Sequence, residues 1–280
     1  MIQGTRRDFF KLAGAGAAAG AALSGCGAEP MTTRPDGHKR LKMGLASYSF
    51  RKFNLDETLA MTNRLGLEYI ALKSFHLPLE SSAGEIRKSA AKVAESGINL
   101  YGCGVVYMKN ADQVENAFEY AKAAGISVII GVPAHELLDM VEQKVAEYDI
   151  KLAIHNHGPG DDVYPSPESI YEKIKGRDPR MGLCVDIGHT LRIGIDPGQS
   201  VRYYIDRVHD VHIKDVTAAA PEGTNVEIGR GVIDIPAFLR TLLELKYDGV
   251  VSLEYEKDAD DPLPGAAESV GYCRGVLSLV

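Results

Sequence analysis

The 280-residue sequence predicts a single closed (β/α)8 barrel, in which eight parallel strands alternate with eight helices. Short apolar segments alternate along the chain with longer segments of helical spacing, and strict alternation of this kind is typical of a parallel sheet. Eight such pairs over roughly 250 residues match the usual size of a closed barrel. No linker or composition break divides residues 41–280, so we expect one domain there.

The predicted strands are short apolar runs, many of them rich in β-branched residues. They cover residues 41–46, 69–72, 98–106, 127–132, 151–156, 182–186, 208–214 and 250–254. The predicted helices carry apolar residues at helical spacing, and several end at a glycine, as at Gly66 and Gly125. They cover residues 56–65, 82–95, 111–124, 134–148, 167–175, 197–205, 235–245 and 266–279. The rival fold, an open doubly wound sheet, is disfavoured because no strand is followed by the pattern G-x-G-x-x-G.

Composition excludes several classes of protein. The chain is 45% hydrophobic and 25% charged, which is typical of globular domains, and no apolar run approaches the roughly 20 residues of a membrane helix. Its net charge of −7 argues against a nucleic-acid surface, whose affinity depends on cationic contacts with phosphate. Four cysteines are too few for a disulfide scaffold. We therefore expect neither a nucleic-acid partner nor a membrane-spanning segment.

Residues 1–25 are predicted to be an export signal rather than part of the fold. A pair of arginines, Arg6-Arg7, precedes a weakly apolar Ala/Gly stretch, which resembles a twin-arginine signal. The segment that ends at Cys26 resembles a bacterial lipobox, in which that cysteine would carry the lipid anchor. The alternative is a disordered tail with a chance arginine pair. On the first interpretation residues 26–40 are a tether, and the protein is a membrane-anchored lipoprotein of the periplasm.

Polar side chains gather where the predicted strands end. In a barrel of this type the chemistry lies at the carboxyl ends of the strands, and a group of His, Asp and Glu there can bind a divalent ion. Because side chains alternate along a strand, His155 shares a face with His157, and His212 shares one with Lys214. The polar residues at the ends of strands two, five, six, seven and eight are Lys73, His76, His155, His157, Asp186, His189, His212, Lys214 and Glu254.

Each of these residues also has a structural interpretation. A lone histidine is more often a hydrogen-bonded structural residue, and we interpret His38, His135 and His209 in this way. An acidic residue after a strand commonly caps the next helix, and both interpretations stay open for Asp186 taken alone. Polar residues at the ends of four consecutive strands are hard to explain as helix N-caps alone. The acidic side chains of residues 256–261 are expected to form a solvated loop.

Four segments carry a family resemblance. They are D-I-G-H-T at 186–190, H-I-K-D at 212–215, G-R-G-V-I-D at 229–234 and L-E-Y at 253–255. Together they resemble the sugar phosphate isomerase/epimerase superfamily with the xylose-isomerase-like TIM barrel, and the resemblance covers residues 41–280. The superfamily includes 3-epimerases, hydroxypyruvate isomerases, inosose dehydratases and, distantly, apurinic-site endonucleases.

The resemblance implies a metal site. It implies Asp186, His212 and Glu254 as ligands, and His189 as a substrate contact near the metal. Relatives carry a glutamate at the end of strand five, in a Glu-Asn-His-Gly context, and His155 occupies that place here. We prefer His155 as the fourth ligand, with His157 as the alternative. Two imidazoles and two carboxylates suit Mn, Zn, Fe or Co better than Mg.

The implied reaction is proton abstraction next to the carbonyl of a sugar or keto-sugar, through an enediolate that the metal stabilises. Glu254 is the candidate base, with His155 possible from the other side, and Lys214 and His189 would orient or protonate substrate oxygens. Further candidates for substrate binding are His76, Lys73, His157, Tyr107 and Arg230. For Tyr107, packing in the core or at the surface is an equal alternative, and for Arg230 the alternative is a solvated side chain.

Three functions remain open at this stage. The first is an isomerase or epimerase of a small sugar or keto-sugar. The second is a lyase or dehydratase acting on 3-keto-glycosides or inosose-like substrates, which the missing strand-five glutamate favours because elimination needs no reprotonation from the opposite face. The third is a noncatalytic sugar-binding lipoprotein. Apurinic-site endonuclease activity is disfavoured because the further histidines of its multi-zinc site are not found. The sequence makes no prediction of substrate identity or oligomeric state.

Overall fold

The structure, a computed structural model, describes residues 41–280 of the chain. The predictions for residues 1–25 and 26–40, including the lipid anchor on Cys26 and the interpretation of His38, lie outside these residues. In the part of the chain that the structure describes, no helix is both long enough and apolar enough to cross a bilayer.

Ten strands lie within residues 41–280. They are β1 (Lys42–Ala46), β2 (Tyr69–Leu72), β3 (Asn99–Met108), β4 (Val128–Pro133), β5 (Lys151–His155), β6 (Met181–Asp186), β7 (Val208–Ile213), β8 (Asp215–Val216), β9 (Asn225–Val226) and β10 (Val250–Leu253). Strands β1 to β7 pair in sequence order, and β10 closes the ring between β7 and β1. All eight pairings are parallel, which confirms the predicted closed barrel.

Nine α-helices lie in the same part of the chain. They are α1 (Leu55–Arg64), α2 (Ala83–Glu95), α3 (Ala111–Ala124), α4 (Leu138–Tyr148), α5 (Pro167–Ile174), α6 (Ile187–Arg192), α7 (Pro197–Tyr204), α8 (Ile235–Glu244) and α9 (Leu263–Leu277). Seven of these nine helices begin at a polar side chain that caps them, and α4 and α9 do not. Ser82, for example, accepts a hydrogen bond from the backbone N–H of Glu85, whose carboxylate accepts one from the backbone N–H of Ser82. Gly125 ends α3 in the left-handed conformation, as its position after the apolar pattern predicts.

Four features differ from the prediction. The helix predicted at 134–148 begins with a 3₁₀ turn, His135–Leu137, and α9 begins three residues before the predicted 266. Helix α6 was not predicted, since six residues are too few to show helical periodicity. The two-stranded antiparallel ribbon of β8 and β9 was also not predicted, because two residues per strand carry no pattern.

The barrel interior has an apolar side and a polar side. The apolar side chains come from β2, β4, β5 and β6, and they are Ala71, Val128, Ile130, Ala153 and Cys184. On the polar side, the hydroxyl of Tyr101 on β3 donates to Asp210 on β7, with 3.0 Å between the oxygens, and also contacts Ser252 on β10. Because β3 and β7 are not neighbours in the sheet, this hydrogen bond crosses the inside of the barrel.

Asp215, the last residue of the H-I-K-D segment, organises the loop that follows β9. Its carboxylate is buried and accepts hydrogen bonds from the backbone N–H groups of Gly229 (2.9 Å), Gly231 (3.0 Å) and Ile233 (3.1 Å). A Cβ added to Gly231 would lie 2.2 Å from Asp215 Oδ1, so glycine is required for this close approach. This part of the family pattern is therefore structural.

Three cysteines within residues 41–280 are buried and unpaired, as the sequence predicts. Cys103 lies on β3, Cys184 on β6 and Cys273 on α9. His135 and His209 have the structural roles expected of them, because each ring nitrogen Nε2 bonds a backbone carbonyl.

Candidate metal centre

Four buried side chains meet at the carboxyl ends of β5, β6, β7 and β10. His155, Asp186, His212 and Glu254 each offer one ligand atom, and these atoms all lie within 4.8 Å of one another. His155 Nε2 is 3.0 Å from His212 Nδ1 and 3.5 Å from Asp186 Oδ2, and His212 Nδ1 is 3.2 Å from Glu254 Oε2. The structure thus brings together the four residues that were predicted as ligands, with His155 rather than His157 in the group.

Asn156 locks the ends of β5 and β6 in register. Its Oδ1 accepts a hydrogen bond from the backbone N–H of Asp186 (3.0 Å), and its Nδ2 donates to Thr190 Oγ1 (3.1 Å) on α6. Asp186 then starts α6, since its Oδ1 accepts from the backbone N–H of His189 (2.8 Å), while its Oδ2 faces the cluster. Asp186 is therefore a helix cap through one carboxylate oxygen, while the other oxygen faces the cluster and is free to serve as a ligand.

The ammonium of Lys214 lies among the acidic members of the cluster. Its Nζ is 2.8 Å from Asp186 Oδ2 and 2.7 Å from Glu254 Oε2, and it also bonds the carboxylate of Glu256. The aliphatic part of the Lys214 side chain passes over Gly188. A Cβ added to that glycine would lie 2.6 Å from Lys214 Cγ, so a larger residue there would clash with the lysine. Glu256 was expected in a solvated loop, and this expectation was wrong. Its alternation with Glu254 was the signal that could have placed it beside the site.

Burial and neighbouring charges set the protonation of the two imidazoles. Burial lowers the pKa of His155 to about 3, so this ring is neutral at physiological pH. Burial also acts to lower the pKa of His212, but the nearby carboxylates of Glu254, Asp210 and Asp186 outweigh it and raise that pKa to about 9. His212 therefore carries a proton in the metal-free protein, and a metal ion would have to displace it.

The two carboxylates are held in their ionised form. Burial acts to raise the pKa of Asp186, but His189, Lys214 and His155 together hold it below its ordinary value. The same holds for Glu254, where Lys214 and His212 outweigh the effect of burial. A neutral imidazole and two ionised carboxylates are ready to bind a cation.

The donor set fits a divalent ion. Among the described residues, Asp186 Oδ2 makes no hydrogen bond of good geometry, and its neighbours are the ammonium of Lys214 at 2.8 Å and the imidazole of His155 at 3.5 Å. Such a buried oxygen is costly unless a cation satisfies it. Cys184 also lies within ligand distance of His155 and His212, but burial raises the pKa of its thiol and its Sγ donates to Asp210. The set with two imidazoles and two carboxylates is therefore the better candidate.

The other predicted residues on the rim of the site form a second group. Tyr107 is 47% exposed, and its hydroxyl lies 3.0 Å from Nε2 of His157. The ring centroid of His157 is 4.5 Å from that of His155 and 6.0 Å from that of His189. Lys73 donates to a backbone carbonyl of β3, and its Nζ lies 5.7 Å from the centre of the Tyr107 ring. These side chains surround the cluster on its β2 to β6 side.

Two of the predicted substrate contacts, His76 and Arg230, are engaged with other protein groups in this structure. Both ring nitrogens of His76 are occupied by protein atoms, since Nδ1 is 2.8 Å from Ser47 Oγ and Nε2 is 3.0 Å from Thr58 Oγ1. His76 is therefore a buried structural residue. Arg230 is exposed and forms a two-point ion pair with Glu268, one contact being 2.6 Å, so the alternative of a solvated side chain describes it in this structure.

Sequence reasoning also missed two acidic residues beside the site. Asp210 lies two residues before His212 on β7, and alternation along the strand could have placed it on the same face. Asp161 lies in the loop after β5, and its Oδ2 is 3.5 Å from His157 Nδ1. No pattern pointed to this residue, because a loop position has no periodicity.

The fold and the cluster define a class of protein, a closed parallel barrel with a candidate metal centre at the carboxyl ends of its strands. The family model described as "Xylose isomerase-like TIM barrel" matches residues 22–276. The chain therefore belongs to the xylose isomerase-like TIM barrel family, which confirms the resemblance seen in the sequence.

Individual relatives resemble parts or all of the chain. An inosose dehydratase from Geobacillus kaustophilus is 30% identical over 144 residues, which are 46% of this chain and 44% of the relative. The chain thus spans about half the length of the curated relatives it matches. Among solved structures, an IOLI protein with a bound zinc atom gives a TM-score of 0.73 at 19% identity, covering 85% of this chain and 99% of that one. A D-tagatose 3-epimerase-like protein gives a TM-score of 0.70 at 20% identity, covering 86% and 98%. These two structures show the fold alone.

Proposed function

We propose that the protein is a divalent-metal-dependent enzyme that removes a proton next to the carbonyl of a keto-sugar or a cyclic polyhydroxy ketone. The observation that carries the proposal is the buried cluster of His155, Asp186, His212 and Glu254 at the mouth of the barrel. When bound there, a divalent ion supplies positive charge that polarises a substrate carbonyl. The zinc atom named for the IOLI protein, a structural neighbour of the same fold, is consistent with such a site.

The side chains around the cluster have different roles in the proposed reaction. Glu254 is held ionised and buried, so it can accept the proton from carbon. Lys214, whose three ion pairs hold it inside the site, donates hydrogen bonds to a substrate oxygen and offsets negative charge that develops there. His189 flanks the same space, and burial lowers its pKa, so it is a neutral donor or acceptor for a hydroxyl group.

The fate of the substrate depends on the second proton transfer. Isomerisation or epimerisation needs a group that returns a proton to carbon, and the family resemblance implies a glutamate at the place that His155 occupies here. Dehydration needs an acid for the departing hydroxyl group. The hydrogen-bonded pair of Tyr107 and His157 lies on the β5 side of the cluster and can deliver a proton to that oxygen.

This pair favours dehydration as the outcome. Glu254 takes the proton from carbon, a carbon–carbon double bond forms, the carbon–oxygen bond breaks, and the hydroxyl group leaves as water with the proton from the pair. The similarity to an inosose dehydratase supports the same choice. Isomerisation or epimerisation is the second candidate, supported by the similarity to a 3-epimerase-like protein.

The test combines metal analysis with NMR in deuterated water. The purified protein is expected to contain about one divalent ion per chain, and 3-keto-glycosides or inososes incubated with it are expected to lose water after exchange of the proton next to the carbonyl. Glu254→Gln is expected to abolish exchange, and Glu95→Gln, an exposed carboxylate at the end of α2, serves as the matched control.

The alternatives give different spectra. A changed stereocentre without loss of water supports the epimerase, and exchange without loss of water supports the isomerase or epimerase over the dehydratase. A metal-loaded protein that exchanges no proton in this panel contradicts the proposed chemistry. If that protein still binds the sugars, it is a noncatalytic sugar-binding protein.

A further inference from the structure

A buried carboxylate lies directly beneath the candidate metal centre. Asp210 is fully buried on β7, two residues before His212, so both side chains point into the barrel. Its Oδ1 accepts a hydrogen bond from the hydroxyl of Tyr101 at 3.0 Å, and its Oδ2 accepts one from the thiol of Cys184 at 3.3 Å. Both of these groups present a donor to the carboxylate.

Neutral donors alone do not explain a carboxylate at this depth. Removing a carboxylate from water costs several kcal/mol even after relaxation, and a phenol and a thiol offset only part of that cost. The remaining contact is with the imidazole of His212, whose Nε2 lies 3.4 Å from Asp210 Oδ2. Within the described part of the chain, this Nε2 makes no hydrogen bond of good geometry.

The orientation of the His212 ring explains its contact with Asp210. Nδ1 faces the cluster, 3.0 Å from His155 Nε2 and 3.2 Å from Glu254 Oε2, while Nε2 points down at Asp210. A ring that binds a metal through Nδ1 must carry its proton on Nε2, and that proton needs an acceptor. Asp210 Oδ2 is an acceptor in the correct place.

We propose that Asp210 is a positioning residue, which accepts the Nε2–H of His212 and so presents Nδ1 of that ring to the metal ion. The proposal rests on the metal site of the proposed function. The hydroxyl of Tyr101 holds Oδ1 and leaves Oδ2 toward the ring, so the chain of contacts runs from Ser252 and Tyr101 through Asp210 to His212. The interior of the barrel thereby fixes a ligand at its mouth.

The experiment measures zinc affinity by competition with a chromophoric chelator. Asp210→Asn keeps the volume of the side chain but replaces one acceptor oxygen by an amide donor, where several donors converge. Zinc affinity is expected to fall by about 10- to 100-fold, as is typical when the partner of a ligating histidine is removed. Tyr101→Phe, which removes one hydrogen bond to Asp210, is expected to lower the affinity by about fivefold.

The matched control is Asp215→Asn. This second buried carboxylate lies two residues after β7 and bonds only backbone N–H groups of the chain segments around it, so its loss destabilises the fold without changing zinc affinity. Thermal melting of each metal-free variant identifies loss of folding. If Asp210→Asn does not fold, Tyr101→Phe decides, and an unchanged zinc affinity in that variant overturns the proposal.

NMR of the zinc-loaded protein labelled with ¹⁵N-histidine gives a second readout. We expect His212 to bind zinc through Nδ1, with a hydrogen-bonded Nε2–H signal that is lost or strongly shifted in Asp210→Asn. Coordination of His212 through Nε2 overturns the proposal, as does a parent-like zinc affinity in a folded Asp210→Asn protein. Failure of the parent protein to bind any divalent ion overturns the metal-dependent function itself, so the two failures are distinguishable.

Discussion

The positive charge of Lys214 lies next to the two carboxylates of the candidate metal centre. Its Nζ contacts Asp186 Oδ2 and Glu254 Oε2, the oxygens a metal ion would share. In the metal-free protein this ammonium therefore offsets their charge.

Removal of this charge is expected to tighten metal binding. Lys214→Met retains the apolar stem that crosses Gly188 but removes the repulsion between ammonium and metal, which at a few ångströms exceeds 1 kcal/mol even with strong screening. We expect zinc affinity to rise by about tenfold in chelator competition. Lys257→Met, which breaks an ion pair with Glu227 instead, is the control. An unchanged or weaker affinity in Lys214→Met contradicts this prediction.

His212 makes metal binding depend on pH. Its pKa in the metal-free protein is raised to about 9, so below that pH a proton occupies the ring and competes with the ion. Affinity is expected to rise by about tenfold per pH unit from pH 7 to 9 and then to level off. Calorimetry in buffers of different ionisation enthalpy measures the proton released. A proton release that is absent at pH 7, or that persists well above pH 9, is inconsistent with this assignment.

The residue scale is also where sequence-based prediction was least complete. The position of a residue at the end of a strand shows that it lies at the carboxyl end of the barrel. The residues at the ends of β5, β6, β7 and β10 could therefore be assigned to one site from the sequence. The position does not tell where a side chain turns after the strand ends. His76 follows a tight turn, in which its backbone N–H bonds the carbonyl of Lys73, and the ring points back to Ser47 and Thr58.

At the scale of elements, the site depends on how β5, β6 and α6 are joined. Asn156 connects all three through its hydrogen bonds to Asp186 and Thr190. The six residues of α6 are too short to be stable by themselves, so the cap at Asp186 and this amide determine where the helix begins. The same two features hold the Asp186 carboxylate toward the cluster.

Asn156→Ala is expected to destabilise the protein. The substitution leaves the buried N–H of Asp186 without its acceptor, which costs about 1–3 kcal/mol. The free energy of unfolding in urea is expected to fall by that amount, and zinc affinity should fall with it because Asp186 loses its support. Asn63→Ala removes an exposed amide that bonds the carbonyl of Ser96, and it should change stability much less. Equal losses in the two variants would show that Asn156 has no special role.

Helices of eight or more residues and strands of four or more residues could be predicted from the sequence, since periodicity and end signals mark them. Helix α3, for example, was predicted with the bounds that the structure has, because Gly125 marks its end, and the structure adds the cap at Asn110. Helix α6 and the ribbon of β8 and β9 could not be predicted. They are held by Asp186 and by tertiary contacts such as those of Asp215, which no local pattern reveals.

At the scale of the whole molecule, the closed barrel follows from the count and alternation of its elements. Eight strand and helix pairs leave no free edge when the last strand pairs with the first, as β10 pairs with β1. Closure brings β5, β6, β7 and β10 side by side at one end of the barrel. Residues separated by about 100 positions in the chain therefore meet in one cluster, and their side-chain contacts could not be read from the sequence.

Metal binding is expected to stabilise the whole barrel, because the ligands come from four of its strands. An ion at about 1,000 times its dissociation constant adds about 4 kcal/mol of stability, which for a domain of this size raises the melting temperature by about 10 °C. Scanning calorimetry with and without zinc measures the shift. His212→Ala, which removes one ligand, should show little shift, and a large shift in that variant would indicate that zinc stabilises the protein from another site.

Asp186 both caps α6 and contributes a carboxylate oxygen to the cluster. These two roles determine which substitutions the position can tolerate. A change to alanine removes the start of α6 and a charge of the cluster at the same step, so it is doubly disfavoured. A change to asparagine keeps the helix start, because an amide oxygen also caps a helix, and gives up only the charge. A protein of this fold that loses its metal can therefore carry asparagine at this position and still fold.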